Sequence, residues 1–174
     1  VQIRVRDNDY LRTGGAGNFA YVGAMAGTIS GEIAFNRIDI PDGASSAYGI
    51  IVGTTSTTSA IDLVIAANRI RGSFVYGAIC TAGSAPEPGK LIPSRLSILN
   101  NVVTPAVRGQ GTGVCLFAGD QYVEADVINN TLVDLDTAMC VTRAPFGSPP
   151  PAINAIFGRF DNNLFAYNGT AVVA

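Results

Sequence analysis

Two aspartates, Asp134 and Asp136, stand two residues apart in the segment LVDLDT, and their spacing is the one in this chain that best suits hydrolytic chemistry. Hydrolysis of a glycosidic bond uses two carboxyl groups that converge on that bond. Residues two apart in a strand point to the same face of a sheet, so the two carboxylates could act on one substrate. An acidic turn without catalytic function explains the same residues, and we favour that interpretation.

Three tyrosines are candidates for binding sugar rings, because an aromatic face packs against the apolar face of a sugar. Tyr48 and Tyr76 each precede a glycine, in the similar segments YGIIVG and YGAICT, and Tyr122 follows a loop. Tyrosines at matching positions also form aromatic ladders that only stabilise the fold. We favour the ladder and keep the three residues as candidate ligand-binding positions.

The cysteines and the overall composition exclude several classes of protein. Cys80, Cys115 and Cys140 are odd in number, lie in apolar segments and form no CxxC motif, and the sequence has no histidine. This pattern predicts buried free thiols and no metal site. The net charge is −2 and no basic stripe is present, which argues against a nucleic-acid partner. No apolar run approaches the roughly 18 residues of a membrane span.

A repeat organises the whole chain. The pattern apolar-x-x-Asn-x-apolar occurs six times, at intervals of 28 to 33 residues. The residues three before and two after each Asn are apolar, whereas the residue four before it is mostly polar, which is the period of two expected for a strand. The aligned asparagines are Asn8, Asn36, Asn68, Asn101, Asn130 and Asn163.

Short β-strands in repeats of about 30 residues predict a parallel β-solenoid, since one repeat cannot bury its apolar face without its neighbours. We expect each aligned Asn to take the left-handed bend between two strands and to hydrogen-bond to the Asn of the next coil. A β-sandwich is the alternative, but it would not explain why apolar rows recur at both offsets. We therefore predict one all-β domain over residues 1–174, with about six coils, and interpret it as a module of a longer chain.

This coil pattern, with its Asn ladder and a glycine-led second strand, resembles the right-handed parallel β-helix of the pectate-lyase-like superfamily. The resemblance covers nearly the whole chain, from Val5 to Val173, and concerns the scaffold. It implies a connection with carbohydrates, because the superfamily includes polysaccharide lyases, glycoside hydrolases, epimerases and non-catalytic surface proteins. The Asn-Thr-Asp, Asp-Asp and Gly-His-Gly motifs of its hydrolases do not occur here.

The resemblance also implies that a lyase would use an arginine or lysine as base, beside carboxylates that hold calcium. Arg37 and Arg69 follow the aligned asparagines of successive repeats and are the candidates for that base. Asp9 stands in the same row, and Asp39 and Arg71 form a similar pair. Cross-strand ion pairs explain these residues without catalysis, and we favour that explanation.

We therefore expect a non-catalytic scaffold or glycan-binding module, extracellular or on the cell surface, whose partner is a polysaccharide or cell-surface glycan and which needs no cofactor. One alternative is a polysaccharide lyase, epimerase or hydrolase with catalytic residues partly outside this chain, and calcium enters only under its lyase form. Another is a structural module that stacks end to end or trimerises. Loops at residues 53–59, 81–94 and 142–152 are expected to flank a groove.

Overall fold

The computed structural model describes residues 1–13, 17–41, 46–54, 59–83, 94–117, 122–142 and 155–173. All the regular structure in these ranges is β-strand. In chain order the strands are β1 (Gln2–Arg6), β2 (Asp9–Leu11), β3 (Ala20–Ala24), β4 (Gly27–Ala34), β5 (Arg37–Asp39), β6 (Ser46–Thr54), β7 (Ser59–Ala66), β8 (Arg69–Arg71), β9 (Phe74–Gly83), β10 (Ser94–Leu99), β11 (Val102–Thr104), β12 (Thr112–Phe117), β13 (Tyr122–Ile128), β14 (Thr131–Val133), β15 (Thr137–Thr142), β16 (Ala155–Asp161), β17 (Leu164–Ala166) and β18 (Thr170–Val173).

The strands form three parallel sheets, and each sheet takes every third strand of the chain. The first sheet has the order β1-β4-β7-β10-β13-β16, the second runs from β2 to β17 and the third from β3 to β18, with six strands in each. A chain that returns to the same three sheets in the same order is a β-solenoid of stacked coils. The predicted all-β parallel solenoid is therefore confirmed.

The apolar rows of the sequence face the interior, as predicted. Ile65 lies between Ile33 and Ile98 in the first sheet, and all three side chains are completely buried. Ile38, in the second inward row, is buried in the same way. Val64, which precedes Ile65 and points outward, is exposed. In the last coil Phe160 is 45% exposed, because only one side of that coil is covered by a described neighbour. Stacking of coils thus buries the core.

The asparagines form the predicted ladder. Nδ2 of Asn68 donates to Oδ1 of Asn101 at 2.9 Å, and Nδ2 of Asn101 donates to Oδ1 of Asn130 at 3.0 Å. The same amide nitrogen of Asn101 also donates to the carbonyl oxygen of Ile65 at 2.8 Å. The pattern repeats along all five steps from Asn8 to Asn163. Buried amides are thereby satisfied at each level.

The expectation that the ladder Asn takes the left-handed bend is wrong, because the residue before it does so. Asn100, Ala67 and Phe35, each immediately before a ladder Asn, have φ angles of 55°, 54° and 58°. The chain therefore turns one residue before the ladder position. The ladder Asn is then free to point its amide inward, where the next coil provides partners.

The three cysteines are free thiols, and they lie in one row of the third sheet. Cys115 pairs in register with Cys80 on one side and with Cys140 on the other. Cys80 and Cys115 are each 4% exposed, as predicted, whereas Cys140 is only partly buried. Proximity to Cys80 and burial raise the pKa of the Cys115 thiol, and burial together with Cys115 raises that of Cys140 to about 11.

Candidate functional site

Asp134 and Asp136 lie on either side of the buried Leu135, in the turn after β14. Asp134 takes a left-handed conformation with φ 61°, and its Oδ1 lies 2.9 Å from Nε of Arg108 without hydrogen-bond geometry. Asp136 is exposed, and its carbonyl oxygen accepts the N–H of Thr170 at 2.7 Å. The backbone groups of both residues hold the turn together, which fits the structural interpretation.

Arg37 and Arg69 are direct neighbours in the second sheet. They are in register on β5 and β8, and both are exposed. The predicted ion pair between Asp39 and Arg71 is present, with 3.0 Å between Arg71 Nη1 and Asp39 Oδ1. Among the described residues, no corresponding ion pair joins Asp9 to Arg37, although the two are in register. Of the two expected cross-strand ion pairs, the one between Asp39 and Arg71 is therefore present.

Tyr48 and Tyr76 pack against each other, with ring centroids 5.3 Å apart and an angle of 28° between the rings. They are not direct register partners, because a β-bulge places Tyr48 opposite Gly77. Burial, together with the nearby Cys80 and Tyr76, raises the pKa of the Tyr48 hydroxyl. Stacking uses one face of each ring, which favours the aromatic ladder. Tyr122 begins β13, and its side chain lies outside the described residues.

The first sheet carries a groove on its outer face that the sequence reasoning missed. It crosses β7, β10, β13 and β16 and has a volume of about 390 Å³. Two neighbouring rows of outward residues line it. The charged and aromatic lining residues are Asp62, Arg95, Glu124, Asp126 and Phe157. Aligning the residues six before each ladder Asn, which are Asp62, Arg95, Glu124 and Phe157 in the last four coils, would have revealed one of these rows.

Ion pairs between neighbouring coils join two carboxylates of the groove, Glu124 and Asp126, to arginines. Arg95 Nε donates to Oε2 of Glu124 at 2.8 Å. Arg159 donates to both carboxylate oxygens of Asp126, with distances of 3.2 and 3.1 Å. The bond from Arg159 lowers the pKa of the Asp126 carboxyl, so this group is ionised at neutral pH. Bidentate pairs of this kind hold their geometry well.

One end of the groove is apolar. Phe157 is 58% exposed and is followed by Gly158. A Cβ atom at Gly158 would overlap the carbonyl oxygen of Ala125 on the neighbouring strand. Gly158 therefore allows β16 to lie close to β13, which places the exposed ring beside the charged row. The groove combines fixed hydrogen-bonding groups with an aromatic surface.

The predicted flanking loops at 53–59, 81–94 and 142–152 lie mostly outside the described residues, and their described ends belong to the strands β6, β7, β9, β10 and β15. In the described part of the chain, no group of three or more His, Cys, Asp or Glu side chains is arranged to hold a metal ion. The described residues likewise contain no helix of the length and apolarity required to span a membrane. Comparison of the chain with protein-family models, with curated proteins and with solved structures finds no match in any of the three.

Proposed function

We propose that this chain is a non-catalytic β-helix module that binds a glycan along the outer face of its first sheet. The observation that carries the proposal is the groove across β7, β10, β13 and β16, in which charged side chains and Phe157 lie side by side. The groove is open at the surface and follows the stacking direction of the coils. An extended polymer fits such a surface better than a small molecule, which prefers an enclosed pocket.

The chemistry of the lining suits sugar hydroxyls. A hydroxyl donates to the carboxylates of Glu124 and Asp126 and accepts from the guanidinium group of Arg95. The ion pairs already hold these groups in place, so little side-chain entropy is lost on binding. The ring of Phe157 offers an apolar face against which a sugar ring can pack.

Asp126 does not fit the role of the general acid of a hydrolase. A general acid that cleaves glycosides needs a carboxyl group with a raised pKa. The pKa of Asp126 is lowered instead by its bond to Arg159. A lyase, epimerase or hydrolase with catalytic residues partly outside this chain remains the alternative. The coil pattern supports a scaffold of the pectate-lyase-like type, and an extracellular or cell-surface location is part of this proposal.

Binding of the purified chain to a panel of neutral and acidic polysaccharides, measured by affinity electrophoresis, tests the proposal. We expect at least one polysaccharide to retard the wild-type chain, and the Phe157→Ala variant to bind it about five- to tenfold more weakly, because a ring contact contributes roughly 1 kcal/mol. Tyr167→Ala is the matched control, since Tyr167 is also exposed but lies outside the groove. Equal weakening by both variants, or no binding across the panel, would refute the proposal.

End-to-end assembly is a second candidate function, favoured by the two ends of the Asn ladder. Among the described residues, nothing donates to Oδ1 of Asn8, and nothing accepts from the backbone N–H of Asn163. In each step of the ladder, the backbone N–H of one Asn donates to Oδ1 of the Asn in the following coil. Near Asn163, a hollow of about 460 Å³ is lined mainly by apolar side chains, including Phe160 and Val172. A coil of a second copy, stacked on either end, would supply the missing ladder partner there. At the Asn163 end it would also cover the apolar hollow.

Sedimentation velocity over a concentration series tests the assembly. We expect the wild-type chain to form larger species as its concentration rises, and Val172→Lys to suppress them, because a charged side chain would have to be buried in the contact. Val64→Lys, at an exposed site on the side of the solenoid, is the control and should leave association unchanged. A wild-type chain that stays monomeric at millimolar concentration rules out this function.

A further inference from the structure

Arg37 and Arg69 are exceptional among the described arginines. Six of the others, Arg4, Arg6, Arg71, Arg95, Arg108 and Arg159, lie within 4 Å of a carboxylate. Arg12 donates to the carbonyl oxygen of Gly17. In the described part of the chain, the guanidinium groups of Arg37 and Arg69 have neither kind of partner.

The two arginines also face each other directly. They are register partners on β5 and β8, where neighbouring strands lie about 4.8 Å apart. Like charges in directly opposed positions destabilise a sheet. Asp39 does not relieve this repulsion, because it is already paired with Arg71. Asp9 is in register with Arg37 on the other side, but among the described residues no ion pair joins the two. Arg37 and Arg69 are therefore two adjacent positive charges without an ion-pair partner on the outer face of the second sheet.

A shallow hollow of about 230 Å³ lies at this pair. Its other lining residues include Arg71, Val102 and Thr104, from β8 and β11. Because Asp39 is paired with Arg71, the hollow keeps the two positive charges of Arg37 and Arg69. Each guanidinium group has five N–H donors in a planar fork, a geometry that matches an anion with several oxygens.

We propose that Arg37 and Arg69 together bind a tetrahedral oxyanion, a sulfate or phosphate group, which bridges the two guanidinium groups. The anion removes their mutual repulsion and accepts hydrogen bonds from both. The oxyanion can be a free ion or an ester group on a polymer, since the hollow is open to solvent. This site is on a different sheet from the proposed glycan groove, so neither proposal depends on the other.

Thermal unfolding of the wild-type chain in sodium sulfate, against sodium chloride at equal ionic strength, tests the site. We expect sulfate at tens of millimolar to raise the melting temperature above the chloride value by about 1–3 °C. In low salt without sulfate, Arg69→Gln should melt about 1–3 °C higher than the wild type, because the repulsion is gone, and should lose the sulfate response. Arg37→Gln should lose the sulfate response as well.

Arg4→Gln is the matched control, since Arg4 is an exposed strand arginine paired with Glu32 on another sheet and outside the groove, and it should retain the full sulfate response. Dextran sulfate against uncharged dextran distinguishes the two sources of the oxyanion. A response to the sulfated polymer at a sulfate-group concentration at least tenfold lower than that of the free ion, lost in Arg69→Gln, assigns the polymer, and equal concentrations assign the free ion. If Arg69→Gln responds to sulfate as the wild type does, or if sulfate and chloride act alike on the wild type, the site does not exist.

Discussion

Oδ1 of Asn101 accepts two hydrogen bonds from Asn68, one from its backbone N–H at 3.0 Å and one from its Nδ2 at 2.9 Å. The side chain of Asn101 also donates twice, to Ile65 in the preceding coil and to Asn130 in the following one. One buried amide thus joins three neighbouring levels of the solenoid. Its neighbour Asn100 has a different task, because it takes the left-handed bend and its side chain is exposed.

Replacing Asn101 by Ala should lower the free energy of unfolding by on the order of 2–4 kcal/mol, because it removes four hydrogen bonds and leaves the buried backbone N–H of Asn68 without its partner. Asn100→Gly is the control and should change stability by less than about 1 kcal/mol, since glycine adopts a left-handed conformation readily. Urea denaturation of both variants measures the difference. Equal losses would show that the ladder bonds are not the source of stability.

Replacing Phe35 by Asn should stabilise the protein. Phe35 holds a left-handed conformation with φ 58°, which costs a residue of this type about 1–2 kcal/mol. Its exposed ring gains only about 0.5–1 kcal/mol from the guanidinium group of Arg6, which lies 4.8 Å from the ring centroid. We therefore expect Phe35→Asn to raise the free energy of unfolding by about 0.5–1 kcal/mol.

Phe35→Ala is the companion variant, because alanine keeps the strained conformation and loses the contact with Arg6. It should be less stable than the wild type by about 0.5–1 kcal/mol. Urea denaturation ranks the three proteins. A Phe35→Asn variant that is no more stable than Phe35→Ala would show that backbone strain at this bend is negligible.

The thiols should react with a maleimide in a fixed order. Cys140 is only partly buried and should be modified first, whereas Cys80 and Cys115 are nearly inaccessible. At pH 8 we expect native Cys140 to react on the order of 100-fold more slowly than in denaturant, because its pKa of about 11 leaves little thiolate. Mass spectrometry of timed samples gives the order. Rapid native labelling of Cys80 or Cys115 would contradict their burial.

Stability should decline at alkaline pH for the same reason. The pKa values of Cys115 and Cys140 are raised in the folded state, so both states hold the protons below about pH 8.5 and the full stability is present there. Above that pH the unfolded chain releases these protons first. Stability is then lost progressively as the pH rises towards the folded values, which for Cys140 is about 11.

Urea midpoints at about pH 7.5, 9 and 10, on both sides of the ordinary thiol pKa of about 8.5, measure this decline. The variant that carries both Cys115→Ala and Cys140→Ala should lose less stability over this range than the wild type, although it starts from a lower value. Parallel pH profiles would mean that the thiol row does not couple to folding.

The fold could be read from the sequence because its signals are local. The period of two around Asn36, Asn68 and Asn101 places each side chain inside or outside without knowledge of the other coils. Recurrence of the same pattern at Asn130 then implies stacking, because a single coil cannot bury its own apolar face.

The position of the left-handed bend could not be read in this way. In the segment LNNV the two asparagines are chemically identical, so composition does not distinguish Asn100 at the bend from Asn101 in the ladder. In two other coils the bend falls on Phe35 and Ala67, residue types that do not prefer it. Tertiary stacking imposes the bend there, since the ladder bonds of the following Asn are gained only when the chain turns at that residue.

The groove and the unpaired arginines were likewise decided by the tertiary structure. Arg95 and Glu124 are 29 residues apart in the chain and become partners only through the register of β10 and β13. Asp9 and Arg37 are also register partners, yet no ion pair joins them, which leaves Arg37 beside Arg69. The sequence by itself determined which residues face outward, because strand periodicity is local. Which outward side chains meet depends on inter-coil register and side-chain geometry, and these exist only in the folded stack.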